Sequence, residues 1–373
     1  MKKHEIIIIG GGLAGLTSAI HLAMEGVDVA VFEAIEYPHH KVCGEYVSKE
    51  VVPYLERLGV ELSAIGAADI TKLQLSASSG ELVETQMDLG GLGISRYSFD
   101  NLLYTRAKSL GVQFYFEKVV QCTFREGEFI TSTTHKEYRS GLVIGAYGKR
   151  SLLDKNLNRH FSSTKHNWLA VKCHYEMENF PEDVVGLHSF EGGYAGLSRT
   201  EQGNVNFCYL ANYQSFKRFK GVREFNTNIV SENIYLKQFL AEATPVFKRP
   251  MTIAQISFSK KEVVVGHMLM CGDTAGLIHP LCGNGMAMAI HGAKIVAELI
   301  LAYLKDANYG RAQLENNYIK AWKENFGRRI WAGRKLQSVL MHDQLLALGI
   351  RSIGKSPRAL NYIISKTHGN IIH

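Results

Sequence analysis

Near the N-terminus, Gly10-Gly11-Gly12-Leu13-Ala14-Gly15 has the spacing G-x-G-x-x-G. A chain with this pattern can turn from a buried strand into a helix and leave its backbone bare for a diphosphate. Gly10 permits the tight turn, and Gly12 lets a pyrophosphate reach the N–H groups of the first helical positions, Leu13 and Ala14. Gly15 allows the helix to pack closely on the strand. Glu33 closes the next strand, where a carboxylate accepts the adenosine ribose hydroxyls and disfavours a 2′-phosphate. Together these residues predict a dinucleotide site.

The elements that must hold them follow from hydropathy. Residues 6–9 are a β-branched run, Leu13–Met24 has helical spacing and 27–32 is again strand-like, so the chain opens with a β-α-β unit and a parallel sheet. The middle differs: 73–76 and 82–87 flank Ser79-Gly80, and 170–175, 186–190 and 205–210 are short strand candidates between Gly-rich turns. That region predicts a largely antiparallel sheet. After strands at 263–265 and 268–271 comes a long apolar helix over 287–303, with helix expected to the end. The expected fold is α/β (α+β): a discontinuous Rossmann-like dinucleotide domain (1–70, 93–160 and 262–305), an inserted antiparallel substrate domain (71–92 and 161–261) and a helical C-terminal region (306–373).

Two further segments choose the dinucleotide. The glycine motif with Glu33, the stretch Val143-Ile144-Gly145-Ala146-Tyr147-Gly148-Lys149-Arg150-Ser151, and Cys271-Gly272-Asp273 running through Pro280 to Gly283-Asn284-Gly285-Met286 span the chain. With them the sequence resembles the flavoprotein superfamily of p-hydroxybenzoate hydroxylase, flavin-dependent halogenases and geranylgeranyl reductases. The resemblance implies FAD, with NADH or NADPH as transient electron donor. It also implies that Asp273 lies on the ribityl chain, and that Pro280, Gly283, Asn284, Gly285 and Met286 lie against the isoalloxazine, with Gly148 on the cofactor as well. A helix starting near Asn284 would point its N–H groups at the edge where reduction builds negative charge.

The segment His40-Lys41-Val42-Cys43-Gly44-Glu45 looks like the K-x-C-G-G or K-x-C-G-E signature of the geranylgeranyl reductase branch. There this loop runs beside the flavin, which implies Lys41, Cys43 and Gly44 as contacts and Cys43 as a candidate proton donor. The family places an Arg of the Arg96 kind on FAD and holds adenine through backbone at the position of Val119 and Val120. Tyr194, in Glu191-Gly192-Gly193-Tyr194-Ala195-Gly196-Leu197-Ser198, stands where that branch carries Tyr-x-Trp-x-Phe-Pro, of which the Tyr and the spacing remain. The halogenase Trp-x-Trp-x-Ile-Pro has no counterpart, and the Asp-Gly form of the middle motif found in many aromatic hydroxylases is replaced by Gly145-Ala146-Tyr147-Gly148.

Composition narrows the rest. The 373 residues are 46% hydrophobic and 21% charged, as in a globular protein with a large core. The six cysteines are scattered without C-x-x-C, and no acid or thiol follows His39-His40 at ligand spacing, so neither disulfides nor a metal are expected. Only four isoleucines precede the glycines, too few for a signal-peptide core or a membrane span, and a cytoplasmic protein is expected. Residues 321–373 hold nine Lys or Arg against Glu324 and Asp343. This basic tail could contact a membrane periphery or an acidic carrier; no nucleic acid is expected. The leading expectation is a reductase delivering hydride from reduced FAD to an unsaturated hydrophobic (prenyl, polyene or lipid-like) substrate, with Cys43 or Tyr194 as proton source. The alternative is an NAD(P)H-driven aromatic hydroxylase; a halogenase or a non-catalytic flavoprotein comes further behind.

Overall fold

Ile6, Ile7 and Ile8 are fully buried in the strand Lys2–Ile9, which runs straight into the glycine turn and the helix Leu13–Met24. The computed structural model of the chain describes residues 2–149, 151–163, 167–277, 284–340, 342–353 and 369–373. Because both faces of the first strand are covered, it reads as a continuous apolar run rather than an alternation. It lies between two parallel neighbours, Val29–Phe32 and Glu137–Gly145. Gln113–Tyr115 and Met268–Met270 extend the parallel sheet on either side, and Val264–Val265 closes one edge antiparallel. A meander of Val119–Arg125 and Glu128–Thr133 attaches antiparallel to Glu137–Gly145. The helix Leu13–Met24 packs against the long helix Gly285–Lys305 on one face of this sheet.

The second sheet is antiparallel except where Ala68–Ser76 pairs parallel with Val184–Phe190. Its centre is the run Trp168–Glu176, Val205–Asn212, Gly193–Arg199. Tyr46–Ser48, which follows the Cys43 loop, pairs with Leu82–Gly93 and so belongs to this sheet rather than to the dinucleotide sheet. The helices Val222–Asn228 and Ile234–Glu242 cover its far face through Phe225, Leu236 and Phe239. They lie in a stretch for which the sequence pattern predicts no helix.

Helices Arg311–Leu340 and Asp343–Ile353 complete the C-terminal region, but residues 369–373 are not helical, which corrects the expectation of helix to the end. Instead the Gly369 N–H donates to the Glu50 carboxylate at 2.6 Å and the Ile372 N–H to the Glu50 carbonyl at 2.9 Å. The buried Glu50 is also paired with Arg329 at 2.9 Å, so the chain end is fastened to a satisfied buried charge. Among the described residues, Gly285–Lys305 is long and apolar enough to cross a membrane, but it is mostly buried against Leu13–Met24 and Arg311–Leu340, as a core helix is.

Candidate active site

The glycine turn has the geometry its spacing requires. Gly10 has φ +105°, and a Cβ on Gly15 would stand 2.0 Å from the Gly10 carbonyl oxygen, so close helix–strand packing excludes any side chain there. Gly12 caps the helix without a side-chain hydrogen bond, and no acid occupies the first turn. A Cβ on Gly12 would find space, 3.5 Å from the Arg96 guanidinium and 4.0 Å from Lys41 Nζ. Both cations are anchored by the buried Asp100: Arg96 donates two hydrogen bonds of 2.7 Å and Lys41 lies 3.1 Å away. Burial alone would weaken the charge on Arg96, but Asp100 outweighs it and fixes the cation; the same pair holds the Asp100 carboxyl below its usual range. Glu33 is held facing the cavity, accepting from the Gly11 N–H at 3.0 Å and the Ala34 N–H at 2.8 Å. A bare helix N-terminus, two fixed cations and a carboxylate beyond them form the donor set for a diphosphate leading to a ribose, so the site fits a dinucleotide.

From this cradle a cavity of about 720 Å³ runs between the two sheets. Gly10, Gly12, Leu13, Ala14, Glu33, Lys41, Cys43, Gly44, Arg96, Gly148, Tyr194, Asp273, Gly285 and Met286 all line it, so the fold gathers residues from five distant segments. The backbone of Asp273 is fixed by the buried Lys261, whose Nζ donates to its carbonyl at 2.7 Å; burial pushes the Lys261 pKa down to about 8. Gly15 is a packing residue behind the turn. Val120 stands off the wall, its carbonyl taken by Asn156 at 2.8 Å, and Val119 lines the cavity instead, because successive strand residues face opposite ways. Asn284 is buried at the start of its helix and is not part of the wall. Pro280 and Gly283 lie outside the described residues.

Beyond Cys43 and Tyr194 the walls become largely apolar: Leu73, Leu75 and Met87, the neighbouring Val185 and Leu187, Ile253, Ile256 and Phe258, and Leu336, Leu340 and Leu346 from the C-terminal helices. Cys208, which the sequence did not single out, shares this wall; burial and then the neighbouring Cys43 push its thiol up to about 12. The five described cysteines are free thiols.

Behind the Cys43 loop lies a buried polar cluster. Glu45, at φ +54°, accepts from Lys172 and from the Arg96 N–H (2.7 Å) on one oxygen and pairs with His174 Nε2 (2.6 Å) on the other. Burial opposes the carboxylate charge, yet Lys172 and His174 together hold its pKa below the usual range. Glu45 thereby ties the loop both to the helix Arg96–Ser109 and to the strand Trp168–Glu176. His40 is adjacent, its ring 5.3 Å from that of His174, and burial followed by the Lys172 charge pushes its pKa down to about 4. Ligand atoms of His40, Glu45 and His174 lie within 4.8 Å of one another, which spacing along the chain gave no reason to expect. Lys172 already supplies the positive charge that balances this carboxylate. The available signal was a lysine and a histidine two apart, on one face of an otherwise apolar strand, which calls for a buried anion.

The chain matches the family described as FAD binding domain over residues 3–315. The digeranylgeranylglycerophospholipid reductase of Methanosarcina acetivorans is 25% identical over 350 residues, covering 88% of this chain and 82% of that protein. Among solved structures, a geranylgeranyl bacteriochlorophyll reductase-like protein from Thermoplasma acidophilum superposes with TM-score 0.80 at 18% identity, covering 98% of this chain and 96% of that one. The flavin-dependent brominase Bmp2 superposes with TM-score 0.79 at 16% identity, covering 98% and 93%.

Proposed function

Because the chain belongs to the FAD binding domain family, we propose that it is an FAD-dependent reductase that saturates double bonds of a prenyl-like or lipid-like substrate. The observation that carries this reading is the cavity: a polar dinucleotide cradle opens, past two thiols and a tyrosine, into a chamber walled mostly by leucine, isoleucine, valine, methionine and phenylalanine, with Ser198, Tyr209 and Thr252 as uncharged polar residues along it. The name of the Methanosarcina relative, a reductase of an isoprenoid phospholipid, points the same way.

When bound, FAD supplies hydride, taken from a nicotinamide nucleotide, to one carbon of the double bond. The residues of the chain do the rest. Gly12, Leu13 and Ala14, with Arg96 and Lys41, would hold the diphosphate, Glu33 the adenosine ribose and Asp273 the ribityl chain. The N-terminus of the helix Gly285–Lys305 offers N–H groups with no side-chain cap toward the cavity. The apolar walls exclude water, and the Cys43 thiol gives its proton to the second carbon. Once product has left, solvent returns a proton to the sulfur.

The test is anaerobic turnover of geranylgeraniol in detergent micelles with NADPH or dithionite as reductant. Product two hydrogens heavier, formed without oxygen, is expected; product formed only in air with one oxygen atom incorporated would replace the reading with hydroxylation. Cys43→Ala should slow product formation about a hundredfold, Cys43→Ser less, and neither should alter reduction of the flavin. Equal rates in both variants would return Cys43 to a packing role.

A further inference from the structure

We infer that the outer face of the two C-terminal helices is a docking surface for an anionic lipid bilayer, set around the mouth of the apolar cavity; the inference rests on the reading of the substrate as lipid-like. The inner and outer faces of these helices differ. Inward, Leu336, Leu340 and Leu346 wall the cavity. Outward, Arg328, Trp331, Lys335 and Val339 follow one another at helical spacing and are all exposed, forming one row about 16 Å long. Trp331 is 64% exposed, and Lys335 Nζ lies 6.0 Å from its ring centre. Leu345 and Leu348 on the next helix are 53% and 61% exposed, although Leu346, Ala347 and Ile350 between and beside them are buried. Val339 joins the two sides, being 39% exposed and also part of the cavity wall, so the chamber reaches the surface within this apolar patch.

Charge decides the partner. Residues 321–353 carry six Lys or Arg against Glu324 and Asp343. Two of the six face inward or sideways, Arg329 on Glu50 and Arg351 on Glu81, and Arg334 donates to the Phe258 carbonyl beside the cavity. Lys323, Arg328 and Lys335 remain on the exposed face. An exposed indole beside cations, with leucines a turn away, suits the headgroup boundary of a bilayer, where the apolar side chains enter the acyl layer and the cations meet anionic lipid. A second copy of the chain fits this surface poorly, since a two-fold contact would set the same basic row against itself.

Full-length holoprotein sedimented with vesicles of three parts phosphatidylcholine to one part phosphatidylglycerol should pellet at low salt. It should pellet less with phosphatidylcholine alone and less again in high salt. The double variant Leu345→Ser/Leu348→Ser should lose about tenfold in partition, and Arg328→Glu/Lys335→Glu a similar factor. Since all four residues are exposed, flavin absorbance and melting temperature should remain those of the parent protein. Wild-type protein that stays in the supernatant, or variants that pellet like it, would overturn the docking surface. So would a salt-resistant dimer dispersed by the leucine substitutions. Turnover in detergent micelles keeps the two readings apart: the variants should match wild type there and fail only on vesicle-borne substrate, whereas absence of turnover in both settings defeats the reductase reading and leaves vesicle binding to be judged by itself.

Discussion

At one end of the cavity the wall is a set of short motifs; at the other it is a product of topology. Gly10 to Gly15 and Glu33 come from a single β-α-β unit, and each residue has a local reason to be where it is. The apolar chamber takes side chains from strands Ala68–Ser76, Leu82–Gly93, Val184–Phe190 and Met251–Ile256 and from two C-terminal helices, none of which carries a recognisable motif. A motif fixes backbone and therefore ligand class. A chamber assembled from many elements fixes only polarity and shape, and these change with each side chain.

The comparison breaks most sharply at Gly12. Gly12→Ala should abolish retention of FAD, yet the melting temperature of the FAD-free protein should hold, because a Cβ there meets nothing of the chain closer than 3.5 Å. Gly15→Ala, with its methyl 2.0 Å from the Gly10 carbonyl, should lower that melting temperature as well. A Gly12 variant that stays yellow would show that the motif end does not bind the diphosphate.

Glu45 joins the two ends, so its loss should be felt across the molecule. Glu45→Gln leaves Lys172 buried without its counter-charge and should cost about 3–5 kcal/mol in urea unfolding. The folded carboxyl titrates below 4.5, so its stabilisation is complete above pH 4.5 and disappears as pH falls through the folded value. The variant should therefore be less sensitive than wild type at the acid end. An unchanged unfolding curve would show that the cluster does not clamp the loop.

The second sheet contains a further acid-sensitive point. His188 is buried with Nδ1 2.8 Å from Ser76 Oγ, and burial pushes its pKa down to about 4 from 6.5. The unfolded chain binds the proton more readily, so stability is unaffected above pH 6.5 and falls by about 3 kcal/mol between there and pH 4. His188→Gln should flatten that part of the stability curve, while His40 and His291, also lowered to about 4, keep part of the slope. Smallest and most local, Asp273→Ala should weaken FAD by about 1–3 kcal/mol in a titration. Unchanged affinity would make Asp273 a helix-turn residue only.

What was legible follows the same division. The helix Leu13–Met24 and the glycine turn could be read to the residue and the second strand within two, because burial on both faces and φ restrictions act locally, whereas the first strand begins four residues earlier than its apolar run. The loop Lys41 to Gly44 and Asp273 could be placed through the resemblance. The Glu45–Lys172–His174 cluster could not, since Glu45 lies more than 120 residues before the lysine and the histidine and meets them only in the folded chain. Cys208 escaped for the same reason: a lone cysteine in a central strand looks like ordinary packing until the cavity beside it is seen. The covering helices Val222–Asn228 and Ile234–Glu242 are short and were obscured by the surrounding turn residues.

The first strand has a consequence for biosynthesis. Lys2–Ile9 is made more than a hundred residues before its partner Glu137–Gly145, and Met268–Met270, which extends the sheet beyond that partner, comes later still. At ordinary elongation rates the isoleucines wait roughly ten to thirty seconds before their second edge can be paired. During that interval the nascent chain presents an unpaired, wholly apolar β-edge, a ready target for self-association and for chaperones. Slow translation or crowded expression should therefore damage this protein through residues 6–9 long before any cofactor is at hand, and co-expressed trigger-type chaperones should help more than added riboflavin.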